Sequence, residues 1–368
     1  DQVTAVAVPE STNPEDVSAT VKAFMTADLP HELIKLLEPI VLETSAFSDN
    51  RSLKNLLLLT AIRTDKAKVS GYIDRLTGYD VDEIARIAID HGLYEEAFQI
   101  YSKAQQNLDA MNVLVEHIVS IDRAQHFANK LNQPDIWSRL GKAQLDGLRV
   151  KDAIDSYVRA EDPANFDEVI EIAERAGREE ELIRFLQMAR KQTREPKIDT
   201  EYAYCLAKAH RLSDMEEFLS MTNVADVLSV GEKCFHDGLY EAARLLFSSV
   251  SNYARLATTL VYLNDFPSAI EAARKAGNTA VWKQMHAACL NKREFKLAQI
   301  AGLAVVPHAE DLPTLIRAYE VKGYFDELLQ LLESALGLER AHMGVFTQMG
   351  IALAKYRPSQ LMEHLKLY

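Results

Sequence analysis

Glycines, alanines and both tryptophans of this chain recur at one fixed distance, and that distance constrains the fold more than any other feature. Gly92 and Gly238 are 238 − 92 = 146 residues apart, and Gly177 and Gly323 are 323 − 177 = 146 apart. Trp137 and Trp282 are separated by 282 − 137 = 145, as are Ala153 and Ala298 (298 − 153 = 145). A one-residue slip between Leu114 and Ala124 reconciles the two values. The spacing predicts two long repeats, 80–226 and 227–368, preceded by a partial repeat over 1–79 with an irregular start.

Inside the long period lies a shorter one. A small turn residue, an aromatic or apolar residue, one or two acids and then Ala or Leu recur, as in Gly92-Leu93-Tyr94-Glu95-Glu96-Ala97 and Gly323-Tyr324-Phe325-Asp326-Glu327-Leu328. Glycine ends one helix in a left-handed cap, and the acids sit at the positive N-terminus of the next. Weaker copies near Asp122, Lys151, Pro267 and Lys296 bring the spacing to roughly 30 residues, one helix hairpin. Tyr94, Ala97, Phe98 and Tyr101 share one helix face, as do Leu182, Phe185, Leu186 and Ala189. Nothing of comparable extent alternates with period two. The expected class is all-α, an α-solenoid of stacked helix hairpins, because one hairpin cannot bury its apolar face alone.

Composition excludes more than it assigns. With 41 basic against 54 acidic residues and a net charge of −13, the chain lacks the cation excess that a phosphate backbone requires, so no nucleic-acid partner is expected. The three cysteines, Cys205, Cys234 and Cys289, lie in apolar helical patterns and suggest no disulfide framework, in keeping with a reducing cytoplasm. Asp1–Asp16 lacks the layout of a signal peptide, and the run Leu56–Leu59 is too short to cross a bilayer. The first residue is not Met and the last ones, HLKLY, still follow a helical pattern, as in a segment of something longer.

No phosphate loop, GxSxG elbow, HExxH, paired CxxC or EF-hand loop is present, so no catalytic residue, cofactor or metal is expected. His286 and Cys289, at i and i+3, could supply two metal ligands, but no companion pair presents itself. The tryptophans suit wedges between hairpins better than ligand platforms. His308, flanked by acids, reads as a solvated loop histidine. Met188–Arg194 ends a helix in Arg190, Lys191 and Arg194. Those cations complement the negative helix C-terminus, or they offer a dock for an acidic helix.

Several runs resemble the clathrin heavy-chain family: Leu336–Gly344 (LGLERAHMG), Phe185–Lys191 (FLQMARK), Asn55–Ile62 (NLLLLTAI), Leu29–Leu33 (LPHEL) and Trp282-Lys283. The resemblance runs from about Ala27 onward, with departures at Thr77-Gly78 and Thr222-Asn223-Val224. It implies a segment of a triskelion leg, from the distal leg and knee into the proximal leg. Its place would be the cytoplasmic face of coated pits and vesicles, touching membrane only through adaptors. Implied partners are other heavy chains and the clathrin light chain, laid along the leg as a long helix. Arg190, Lys191, Arg194 and Lys283 are the residues expected to hold part of it. The competing readings are a subunit of a vacuolar or endosomal tethering complex, with the same fold, and a TPR-like adaptor, which would show a stricter short period.

Overall fold

Many helices here stop where the chain takes a positive φ. The computed structural model describes residues 13–43, 46–340 and 342–367, with twenty-four α-helices and no strand among them. The expected irregular start falls partly on residues 1–12, outside the described residues; a helix over Pro14–Thr26 follows them. Gly92, Gly177, Gly238 and Gly323 all take left-handed φ, between 62° and 78°. At Gly92 the amide donates to Ile89 O (2.9 Å) and the next amide, Leu93, donates to Ala88 O (2.8 Å). This is the Schellman closure, which satisfies carbonyls that the helix end leaves unpaired. Leu93 then opens the next helix, Tyr94–Lys103, whose first turn carries Glu95 and Glu96. Two helices are thus joined through about three residues, so they must pack antiparallel.

The same turn is made without glycine elsewhere. Gln105, Val119, Leu148, Ser251, Asn264 and Arg293 take φ between 54° and 62°, each at a cost of roughly 1 kcal/mol that the surrounding packing must offset. Their positions follow the long period: Gln105 and Ser251 differ by 251 − 105 = 146, Val119 and Asn264 by 264 − 119 = 145, Leu148 and Arg293 by 293 − 148 = 145.

Helix starts carry the period too. Val81 and Val227, Tyr94 and Tyr240, and Asn107 and Tyr253 open helices 146 residues apart (227 − 81, 240 − 94, 253 − 107). From Ile121 and Phe266 (266 − 121) to Val150 and Phe295 (295 − 150) the offset is 145. The slip has a physical seat: Val113–His117 is a turn of π-helix, which holds one more residue than the regular helix Tyr253–Tyr262 in the equivalent place. The offset returns to 312 − 166 = 146 at Phe166 and Leu312, because the six residues 306–311 stand where five, 161–165, connect the earlier helices.

The described residues form two compact units, one ending at Gln192 and one beginning at Thr193. In each, a helix packs on its neighbours in the chain and on the next but one. Thr279–Asn291, for instance, contacts Tyr253–Tyr262, Phe266–Ala276, Phe295–Val305 and Leu312–Lys322. This is solenoid packing, and it gives a strip of core in place of a single centre. Leu57, Leu58, Ala61 and Ile62 are fully buried, each of the larger ones contributing about 1.5–3 kcal/mol. Alanines with no exposed surface, among them Ala97, Ala124, Ala153, Ala243, Ala269 and Ala298, let helices approach closely at the crossings.

Candidate interaction surface

The four cations singled out by sequence occupy three settings. Arg190 and Lys191 lie in the last turn of Glu179–Gln192, with Lys191 exposed; Arg194 is exposed in the short connection before the helix Pro196–Lys208, at the start of the second unit. Lys283 is on Thr279–Asn291 and forms an ion pair of 2.5 Å with Asp311, in the connection that follows Phe295–Val305. It is therefore less available to a partner than its position beside Trp282 suggests.

Both tryptophans are buried at equivalent places. The Trp137 indole N–H donates to Asn132 Oδ1 (3.0 Å) and Arg159 lies 4.6 Å over its ring. At Trp282 the residue equivalent to Asn132 is Gly277, which has no side chain to offer. These are packing wedges, as expected. His286 and Cys289 are buried and no group of three or more His, Cys, Asp or Glu could hold a metal among the described residues. Burial pushes the Cys289 thiol up to about 11 and the Cys234 thiol up to about 12. Such thiols stay protonated and inert. His308 is exposed in its loop, with Nε2 3.1 Å from Thr279 Oγ1.

A feature less visible in sequence is a ladder of ion pairs between successive hairpins. Its rungs include Arg123–Glu95, Arg139–Glu116, Lys142–Glu168 (2.7 Å), Arg184–Asp155 (2.9 Å), Arg255–Glu232 and Arg357–Asp326 (2.6 Å). Hydrogen bonding from Arg123 holds the Glu95 carboxyl below its usual range. Each rung is partly exposed, worth about 0–1 kcal/mol, and more useful in fixing the register of stacking than in adding stability. Lys103 does more: its Nζ donates to the carbonyls of Ile73 (2.7 Å), Asp74 (2.8 Å) and Leu76 (3.0 Å), closing the C-terminus of Lys66–Arg75 from the next hairpin. No helix is long and apolar enough to cross a membrane among the described residues.

Residues 8–152, 157–297 and 303–368 match the family described as the region in clathrin and VPS proteins. Over all 368 residues the chain is 57% identical to the probable clathrin heavy chain of Schizosaccharomyces pombe, 52% to the clathrin heavy chain of Drosophila melanogaster and 50% to clathrin heavy chain 2 of Homo sapiens. In each case it spans 22% of the relative's length.

Proposed function

The chain belongs to the clathrin heavy-chain repeat family, the region found in clathrin and VPS proteins, and from that premise we propose that it is a leg segment of a vesicle coat on the cytoplasmic side of the membrane. The observation that carries the reading is the period itself. Helix starts and left-handed caps recur at 145 or 146 residues through the stretch that is 50–57% identical to clathrin heavy chains (227 − 81 = 146, 266 − 121 = 145). A stack closed at every turn is a strut, suited to bearing load between many weak lateral contacts. Identity of 52–57% to clathrin heavy chains over all 368 residues of this chain favours a coat over a tethering complex.

In this reading the segment packs against legs of other heavy chains and carries the light chain, with Arg190, Lys191 and Arg194 meeting acidic residues of that partner. Lys283 contributes only by exchanging Asp311 for it. The repeat frame 80–226 and 227–368 is one choice of phase in a periodic chain. Duplicating 80–226 in register within a full-length heavy chain tests frame and function together. Longer edges in coats assembled from such chains, seen by electron microscopy, are expected. Coats of unchanged dimensions from a duplicated chain that folds would overturn the leg assignment.

A further inference from the structure

The two long repeats match helix for helix, yet the interfaces inside them are not interchangeable. In the first, buried hydrogen bonds tie three helices together. Ser156 on Val150–Ala160 donates from Oγ to Gln144 Oε1 (2.6 Å) on Pro134–Asp146, and Gln144 Nε2 donates to Gln125 Oε1 (2.8 Å) on Ile121–Leu131. Gln144 is 0% exposed and Ser156 1%. The equivalent residues of the second repeat are Cys289, Ala301 and Ile270, all buried (289 − 144 = 145, 301 − 156 = 145, 270 − 125 = 145). A polar lock has become a dry contact.

Shape differs at the same crossing. Gly141 makes room for the Tyr157 ring in the first repeat, whereas in the second the ring belongs to His286 and the space to Gly302 (286 − 141 = 145, 302 − 157 = 145). Charge differs one hairpin earlier. Glu232 pairs with Arg255, and the equivalent residues, Arg86 and Asp109, carry the opposite signs (232 − 86 = 146, 255 − 109 = 146). Both line one cleft.

Stacked one long repeat out of step, these surfaces reject each other. Pro134–Asp146 on Phe295–Val305 would set Gly141 against Gly302, leaving a void, and would strip Gln144 of the Ser156 hydroxyl. Thr279–Asn291 on Val150–Ala160 would drive Tyr157 into His286 and leave the Ser156 hydroxyl facing a thiol, a poor acceptor. Arg255 would meet Arg86, and Glu232 would meet Asp109. We propose that these differences are a register code: each long repeat accepts its own helices and refuses the equivalent ones of the other, so that a neighbouring copy cannot stack one repeat out of step. A periodic chain needs such a device, because a slipped pairing between copies is a heterologous contact that does not close and grows into an open-ended polymer. An exchange of helices in register makes native contacts and is not opposed. The code resides in the repeats and does not rest on the leg assignment.

The test transplants one interface onto the other within residues 1–368. His286→Gly with Cys289→Gln gives Thr279–Asn291 the face of Pro134–Asp146, and Ile270→Gln, Ala301→Ser and Gly302→Tyr supply the matching partners. In urea unfolding, each group alone is expected to shift the equilibrium about thirtyfold toward the unfolded state, and the five together to recover about tenfold or more of that loss. Refolded at high protein concentration, the five-residue variant, whose two interfaces are then alike, should form open-ended oligomers seen by size exclusion with light scattering, and the parent should not. Should the second repeat not tolerate the five, the reciprocal set reads the same coupling in the first: Gly141→His and Gln144→Cys with Gln125→Ile, Ser156→Ala and Tyr157→Gly. Losses that add in both repeats, with no recovery, overturn the proposal. So does a recovered variant that refolds to the same species as the parent, because the code would then not be what prevents slipping.

Discussion

Tyr157 lies against Gly141, where a Cβ would stand 3.3 Å from its ring, and in the next repeat the bulk has changed helices: His286 lies 3.4 Å from the Cβ position of Gly302. The two pairs are equivalent (286 − 141 = 145, 302 − 157 = 145). What the fold holds constant is the space between two helices; which one fills it is free.

That rule gives a signed prediction for glycines inside helices. At Gly231 a Cβ would meet the buried Phe247 ring at 2.7 Å, so Gly231→Ala should destabilise by about 1–2 kcal/mol even after the gain in helix propensity. At Gly350 no heavy atom lies within 4 Å, so Gly350→Ala should stabilise by about 0.5–1 kcal/mol. Urea unfolding of the two variants checks the opposite signs.

His286 makes stability depend on pH. It is buried against Tyr319 (5.2 Å between centroids), its Nε2 has no hydrogen-bond partner among the described residues, and burial pushes it down to about 4. Above pH 6.5 the ring is neutral in both states and contributes nothing. As pH falls toward 4 the unfolded chain takes a proton that the folded one refuses, so stability is lost across that window, by about 2 kcal/mol at pH 5. The carboxylates held low, Glu38, Glu95 and Glu320, act at more acidic pH. His286→Gln should flatten the difference between melts at pH 7.5 and pH 5; an unchanged slope would assign it to other groups.

Cations of equal charge should not matter equally. Lys103→Met removes three hydrogen bonds from a helix end and should cost about 1 kcal/mol or more, with little salt dependence. Arg123→Met removes an exposed rung, and its smaller cost should vanish in high salt. Thermal melts in 0.1 and 1 M salt separate the two.

The caps at Gly92, Gly177, Gly238 and Gly323 were legible because only glycine takes a left-handed φ freely, and the long period because those glycines share it with Trp137 and Trp282. At Val119, Leu148 and Arg293 the helix starts that follow were legible, near Asp122, Lys151 and Lys296, but the positive φ was not, since nothing in those side chains favours it; the packed hairpins impose it. The π turn showed only as a one-residue slip between Leu114 and Ala124, an arithmetic trace with no residue preference behind it. Lys283 read as an available cation because Asp311, 311 − 283 = 28 residues on, is brought to it by folding. The loss of one rung escaped for the same reason: Gln284 and Val261 stand where Arg139 and Glu116 pair (284 − 139 = 145, 261 − 116 = 145), which acquires meaning only once the repeats are superposed in register.

The most direct test of the leg assignment is a calorimetric titration of residues 1–368 with purified clathrin light chain. Binding near one light chain per segment, weakened at least tenfold by Arg190→Glu, Lys191→Glu and Arg194→Glu together and weakened further by salt, is the predicted result. No heat of binding from a segment shown to be helical by circular dichroism, or binding indifferent to the three reversals, would contradict it.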